Sequence, residues 1–353
     1  MKSTTQKARL TARRINVLDG MLGQGTDRNL DADARTWLRQ LATAGEMTSV
    51  RMRSGFVRAD DALTDASDKK RPAVRDGWPP VSILSSIPNG VALRTAITAL
   101  FLAQTKNRTI FRRGAIQLPL RAISAKEPGW TDVMVVPAVF RSRQAGSGST
   151  QHTLTDNRVR QVRDALDRLD IEPKVRRRTK TPMARVGLFA SPSQAGTARR
   201  SPTPVTLYAE TGLRVGEPID WVLPQRDYFE VPISFWTNGW VHALTPSEIA
   251  NFFMYLHLDT TEPLSTDAAG HAVNGYTRGA LYGLTPDAWD THQTLSRFGL
   301  LDVTPDPERR DDGQIPGGAT QHGHLHRIRA TLAGLEQPAV ETVLTALRAM
   351  EDE

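Results

Sequence analysis

Apolar positions recur at helical spacing in several separate windows of the chain, with strand-like runs and polar loops between them. Val91, Leu93, Ile97, Leu100 and Phe101 predict a buried helix behind the stiff entry GWPP at 77–80. IFRRGAIQLPLRAI (110–123) and WTDVMVVPAVFRS (130–142) read as strands, and AGSGST from Ala145 as a loop. TDNRVRQVRDALDRL then sets Val159, Val162, Leu166 and Leu169 on one helical face, with Thr155 or Asp156 as N-cap. A strand-like RVGLFAS, a polar loop SPSQAGTARRSPTP and a second strand VTLYAE follow. The order is helix, strand, basic loop, strand.

The same order begins again at Tyr228. FEVPISFWTNGW is an extended, aromatic-rich lead-in, and Thr245, Pro246 and Glu248 spell the start of a helix over LTPSEIANFFMYLHL: a cap, a proline at the first helical position and a reciprocal acid three residues on. Thr285, Pro286 and Asp287 repeat that logic at the head of TPDAWDTHQTLSRFGLLDV, and Gly299 sits where a helix ends. LLDV, a polar loop across PDPERRDDGQIPGGATQHG and the run HLHRIRAT then predict strand, loop and strand. AVETVLTALRAMEDE is a terminal amphipathic helix with an apolar face suited to self-association. Ahead of both passes, residues 1–77 combine a basic arm expected to lack fixed structure, a helix around Asp31 to Ala44, and a linker containing ADDALTDASDKKRP.

Composition narrows the classes. The chain has 353 residues, 39% apolar and 24% charged, enough for two or three domains with real cores. It contains no Cys, which excludes disulfides, thiolate metal sites and cysteine nucleophiles. Apolar runs are interrupted well short of the ~20 residues of a membrane span, and the polar start lacks a signal-peptide core, so a cytoplasmic location without membrane partners is expected. The net charge of +7 favours a polyanionic partner, and its distribution is uneven: residues 158–200 hold twelve Lys or Arg against four acids.

Two sets of side chains follow as candidates for contact with double-stranded DNA. Arg158, Arg160 and Arg163 on the basic helix, with Lys174, Arg176, Arg177, Arg178 and Lys180 after it, can neutralise several phosphates and release their counterions. In the second pass, packing Ala288, His292, Leu295 and Phe298 inward, with Trp289 at the edge, turns Asp290, Gln293, Thr294 and Arg297 outward. Gln293, Thr294 and Arg297 can reach base edges, while Arg309 and Arg310 in the following loop can reach the backbone.

A capped helix, a strand, a charged loop and a returning strand resemble winged helix-turn-helix domains, and two such units in one chain resemble the initiators of iteron-type plasmid replication. The resemblance is one of element order over about two thirds of the chain. It implies an α+β fold with two winged-helix domains in tandem: the first across 78–210 with an insertion, a linker at 211–227, the second across 228–332, flanked by 1–77 and a helix at 333–353. It implies a protein associated with the nucleoid or a plasmid that binds DNA sequence-specifically to start replication. A winged-helix repressor, with the terminal helix as dimerising element, and a protein-interaction adaptor stay open, because fold does not fix function.

Catalytic signatures are absent. There is no GxxxxGK[ST] loop, no GxSxG elbow and no HExxH, so neither an enzyme nor a cofactor is expected. His322, His324 and His326 alternate, and on a strand they would share one face as metal-binding histidines can. His324, Leu325 and His326 resemble the His-hydrophobic-His element of rolling-circle endonucleases, but no Tyr follows Tyr282 to act as nucleophile. Histidines close to phosphates on a wing strand are the expected role.

Overall fold

Helices and small antiparallel sheets alternate along the chain, an α+β architecture. The computed structural model describes residues 4–23, 29–60, 77–87, 89–124, 127–136, 154–170, 188–190, 204–209, 220–264, 269–306 and 325–352.

The amino-terminal arm is ordered, against expectation. Residues Thr4–Met21 form helix α1, and its apolar stripe of Ile15, Leu18 and Met21 is buried. Helix α2 (Leu30–Ala44) is capped by Asn29, whose side chain accepts from the Ala32 amide, and strand β1 (Ser49–Arg53) follows. Charge along α1 hides the stripe in the sequence; tertiary packing supplies its partner, the carboxy-terminal helix described below.

Helices α3 (Pro80–Ser85) and α4 (Val91–Gln104) open the first unit, α4 being buried from Val91 to Ala103. Strands β2 (Phe111–Arg112) and β3 (Ala115–Ile116) form a tight hairpin within the first strand-like run. The second run is not a strand at its start: Trp130–Val133 is a single helical turn, α5. The Asp132 carboxylate accepts from the Gly129 amide at 2.9 Å and the Ala122 amide at 3.1 Å, closing the turn. A continuous buried apolar run does not distinguish helix from strand by periodicity, which is why the sequence misleads here. Helix α6 (Leu154–Leu169) and strands β4 (Phe189–Ala190) and β5 (Val205–Leu207) complete the unit, with sheet order β2-β3-β5-β4.

The lead-in to the second unit is strand β6 (Tyr228–Pro232), which pairs antiparallel with β1 from Ser49↔Pro232 to Arg53↔Tyr228. Two short helices follow, α7 (Ser234–Thr237) and α8 (Trp240–Ala243), then α9 (Pro246–Thr261) with the capping box spelled by Thr245 and Glu248. Phe229, Phe235, Phe252 and Phe253 stack in the core around α9. Helix α10 (Gly275–Tyr282), α11 (Pro286–Trp289), α12 (Thr291–Arg297) and the ladder of β7 (Leu301–Thr304) with β8 (Arg327–Ala330) complete it. Helix α13 (Ala339–Asp352) lays Val340, Val343, Leu344 and Leu347 against α1 and α8. The apolar face read as dimerising is therefore used within the chain.

Between α9 and α10, His271 bridges Ile328 on the free side of β8, exchanging backbone hydrogen bonds of 2.8 and 3.1 Å. Gly270 precedes it because a Cβ there would lie 2.7 Å from the Ile328 backbone. The two ladders are alike in one respect: β3, the second strand of the hairpin after α4, lies on β5, which pairs with β4, and the single residue His271 lies on β8, which pairs with β7.

Candidate nucleic-acid interface

The start of α12 is set by a break in what the sequence spells as one helix. Thr285 caps α11 by accepting from the Ala288 amide, but the helix interrupts at Asp290 and restarts at Thr291. The freed carbonyls are bonded by side chains. Asn251, fully buried on α9, donates to Ala288 O and Trp289 O; Thr291 Oγ1 donates to Ala288 O at 2.6 Å; and His292 Nδ1 donates to Trp289 O at 2.7 Å. At the other end, Gly299 takes φ +73° and the Leu300 amide bonds Leu295 O, while the Gly299 amide bonds Ser296 O, a Schellman closure that hands the chain to β7.

This fixes which side chains face out. Ala288, His292, Leu295 and Phe298 are buried, Trp289 is half-buried, Gln293 and Arg297 are exposed, and Thr294 is half-buried. That is the division read from the sequence, and it survives the break because Asp290 keeps helical dihedrals. Arg278 on α10 lies over the Trp289 ring, 3.6 Å from its centroid, and the His292 ring stacks on Trp289 at 4.5 Å. His326, just before β8, sits 6.1 Å from His292. Burial lowers the pKa of His292, so its ring is neutral and Nδ1–H is the donor to Trp289 O. The stack connects α10, α12 and the base of the β7–β8 hairpin.

Asp259 on α9 ties the hairpin down. Its Oδ1 is 2.8 Å from His271 Nε2 and its Oδ2 accepts from the Ala330 amide at 3.1 Å, so one carboxylate holds both neighbouring strands. On the surface of the ladder, Arg327 and Arg329 are exposed on either side of buried Ile328, and Arg329 pairs with Asp302.

The basic helix is more mixed than its sequence suggests. Val159, Val162, Ala165, Leu166 and Leu169 of α6 are buried; Arg160 is exposed and Arg163 half-buried. Arg158 is half-buried and lines a crevice together with Asp33 of α2 and Asp132 of α5. Lys174, Arg176, Arg177, Arg178, Lys180, Arg309, Arg310, His322 and His324 lie outside the described residues. Among the described residues no group of three His, Asp or Glu side chains is arranged to hold a metal, and no helix is long and apolar enough to cross a membrane.

Comparison with protein-family models, curated proteins and solved structures gives no match. The reading of the site therefore rests on its own geometry. Asn251, Arg278 and Asp259 escaped the sequence reading because each acts through a residue distant in the chain; only the buried position of Asn251 within an otherwise apolar helical run signalled it.

Proposed function

We propose that residues 228–332 form a winged-helix domain that reads duplex DNA through α12, that residues 78–210 form a second such domain, and that the protein is a sequence-specific DNA-binding initiator of replication on a plasmid or mobile element. The observation carrying this reading is the repeated thread. Both units run from a helix through a short extended stretch and further helices to a two-strand ladder, and in each the extended stretch, β3 in the first and the single bridge residue His271 in the second, lies on the last strand, an order like that of a winged helix-turn-helix. In the second unit α10 and α12 take the places of the two helices of the turn, and the outward residues Gln293, Thr294 and Arg297 have the chemistry of base-edge and phosphate contact. The reading is non-enzymatic and needs no cofactor.

A transcriptional repressor of the same build is the competing role. The carboxy-terminal helix offered as its dimerising element has its apolar face occupied by α1 and α8, which removes one support for that role. Selection from a random duplex library with the purified protein, at two salt concentrations, tests the proposal. Recovery of a motif that the chain binds as direct repeats supports the initiator, an inverted repeat the repressor. Recovery of no motif above salt-sensitive background overturns sequence-specific binding.

A further inference from the structure

A block of positive charge without nearby acids in sequence lies on the β2–β3 hairpin and the loop that enters it. No acid occurs between Asp76 and Glu127, while Lys106, Arg108, Arg112 and Arg113 fall within eight residues. All four are exposed. None of their side chains makes an ion pair or hydrogen bond with a described residue, unlike Arg329, which pairs with Asp302, and Arg158, which shares a crevice with Asp33 and Asp132.

The hairpin fixes the backbone that carries these cations. Asn107 accepts from the amide and hydroxyl of Thr109, and its carbonyl receives the Ile110 and Phe111 amides. Lys106 and Arg113 take left-handed φ of +55° and +52°, a conformation that costs a side-chain-bearing residue about 1 kcal/mol and persists only where the surroundings impose it. Ile110 is buried and the Phe111 ring packs edge-on against Trp221 at 5.5 Å, so the apolar side chains of the hairpin point inward. None of the exposed large apolar residues falls on it. A charged, preformed surface without apolar anchors fits a phosphate backbone better than a lipid surface.

We infer that the hairpin bearing Lys106, Arg108, Arg112 and Arg113 is a phosphate-gripping surface for duplex DNA, separate from α6 and α12. It rests on the DNA-binding reading above and adds to it a sequence-independent contact on the first unit. Each phosphate neutralised contributes about 0.9 to the slope of log affinity against log salt, so four contacts contribute about 3.6.

The test is a salt titration of the full chain on a duplex containing its selected motif, with hydroxyl-radical footprinting. The variant carries Lys106→Asn, Arg108→Gln, Arg112→Gln and Arg113→Asn, asparagine being tolerated in the left-handed region. The expected result is a slope reduced by about 3.6, an extra affinity difference of about a hundredfold between about 50 and 200 mM salt, and a shortened footprint. Base preference stays unchanged. Arg112→Gln alone, at an exposed strand position that leaves the fold undisturbed, should lower the slope by about 0.9. Unchanged slope and footprint in both variants, with motif binding intact, overturn the inference and leave the DNA reading standing. Absence of duplex binding by the wild-type chain, with hairpin-dependent retention of RNA or of anionic vesicles, overturns both.

Discussion

The Asn251 side-chain amide lies 3.1 Å from the carbonyl oxygen of Trp289, joining the middle of α9 to the joint at which α12 begins. The same amide reaches Ala288 O and Thr291 Oγ1, so one buried group sets where the outward-facing helix starts. Asn251→Leu keeps the branching and number of side-chain heavy atoms but removes the donor. It should lower stability by ~1–3 kcal/mol in urea unfolding, the cost of under-satisfied buried carbonyls. It should also reduce preference for the selected motif while leaving the salt slope of non-specific binding intact. Loss of stability with full motif preference would make Asn251 structural only.

The outward residues of α12 give a separate expectation. Arg297→Ala should cost ~1–3 kcal/mol on the preferred site and relax selectivity at one base position. Neutralising Arg160 and Arg163 on α6 should instead weaken binding to every sequence alike and flatten its salt dependence. Competition assays against shuffled duplex separate the two, and the assignment of Arg297 to base reading fails if its loss is equal on all sequences.

What could be read from the residues alone was mostly local. Thr245 with Glu248, and Thr285 with Pro286, mark helix starts because the capping bonds close within three residues. The inward face of Ala288, His292, Leu295 and Phe298 follows from helical spacing alone. What stayed hidden was non-local. The break at Asp290 is stabilised from α9, α1 becomes a helix against α13, and β1 lies on β6 although nearly the whole first unit separates them in sequence. Concentrated charge misled in both directions: Arg158 is half-buried in a crevice that Asp33 and Asp132 also line, whereas the exposed cations of the β2–β3 hairpin read in sequence as an ordinary strand.

Two buried histidines make stability depend on pH. Burial, reinforced by the Arg94 guanidinium, lowers the pKa of His242 to about 3. Burial, with Arg58 nearby, lowers that of His257 to about 4. In the unfolded chain both titrate near ~6.5, so below that pH the unfolded state binds protons that the folded state does not. Stability is therefore full above about pH 6.5 and falls as pH drops toward 4, by roughly 1.4 kcal/mol per pH unit for each histidine. Urea midpoints measured from pH 7 to 4.5 should show this decline, and His242→Phe should make it less steep. Imidazole resonances of the folded protein that titrate near pH 6.5 at both positions would contradict the assignment.

The junction of α8 and α9 concentrates charge around one carboxylate. Glu248 is buried and accepts from Arg14 Nη1 and Nη2, each at 2.7 Å, while its Oε2 also receives the Thr245 amide of the capping box. Arg14 reaches on to Ala243 O, and Arg94, from α4 of the first unit, donates to Leu244 O at 2.9 Å. Burial and the neighbouring Arg14 lower the Arg94 pKa to about 10, which still leaves it charged at neutral pH. Two guanidiniums from different parts of the chain thus depend on a single buried counter-charge. Removing one partner of such a pair is far more costly than removing both, because an uncompensated ion stays behind. Glu248→Gln should destabilise the protein by ~3–5 kcal/mol, and adding Arg14→Met should recover part of that loss. The double-mutant cycle by urea unfolding gives the coupling directly. Hydrogen exchange of α1 amides should rise more in Glu248→Gln than in the double variant, since only the former leaves the half-buried Arg14 without its carboxylate. Additive losses would mean that α1 is held by its apolar stripe against α13 and not by this ion pair.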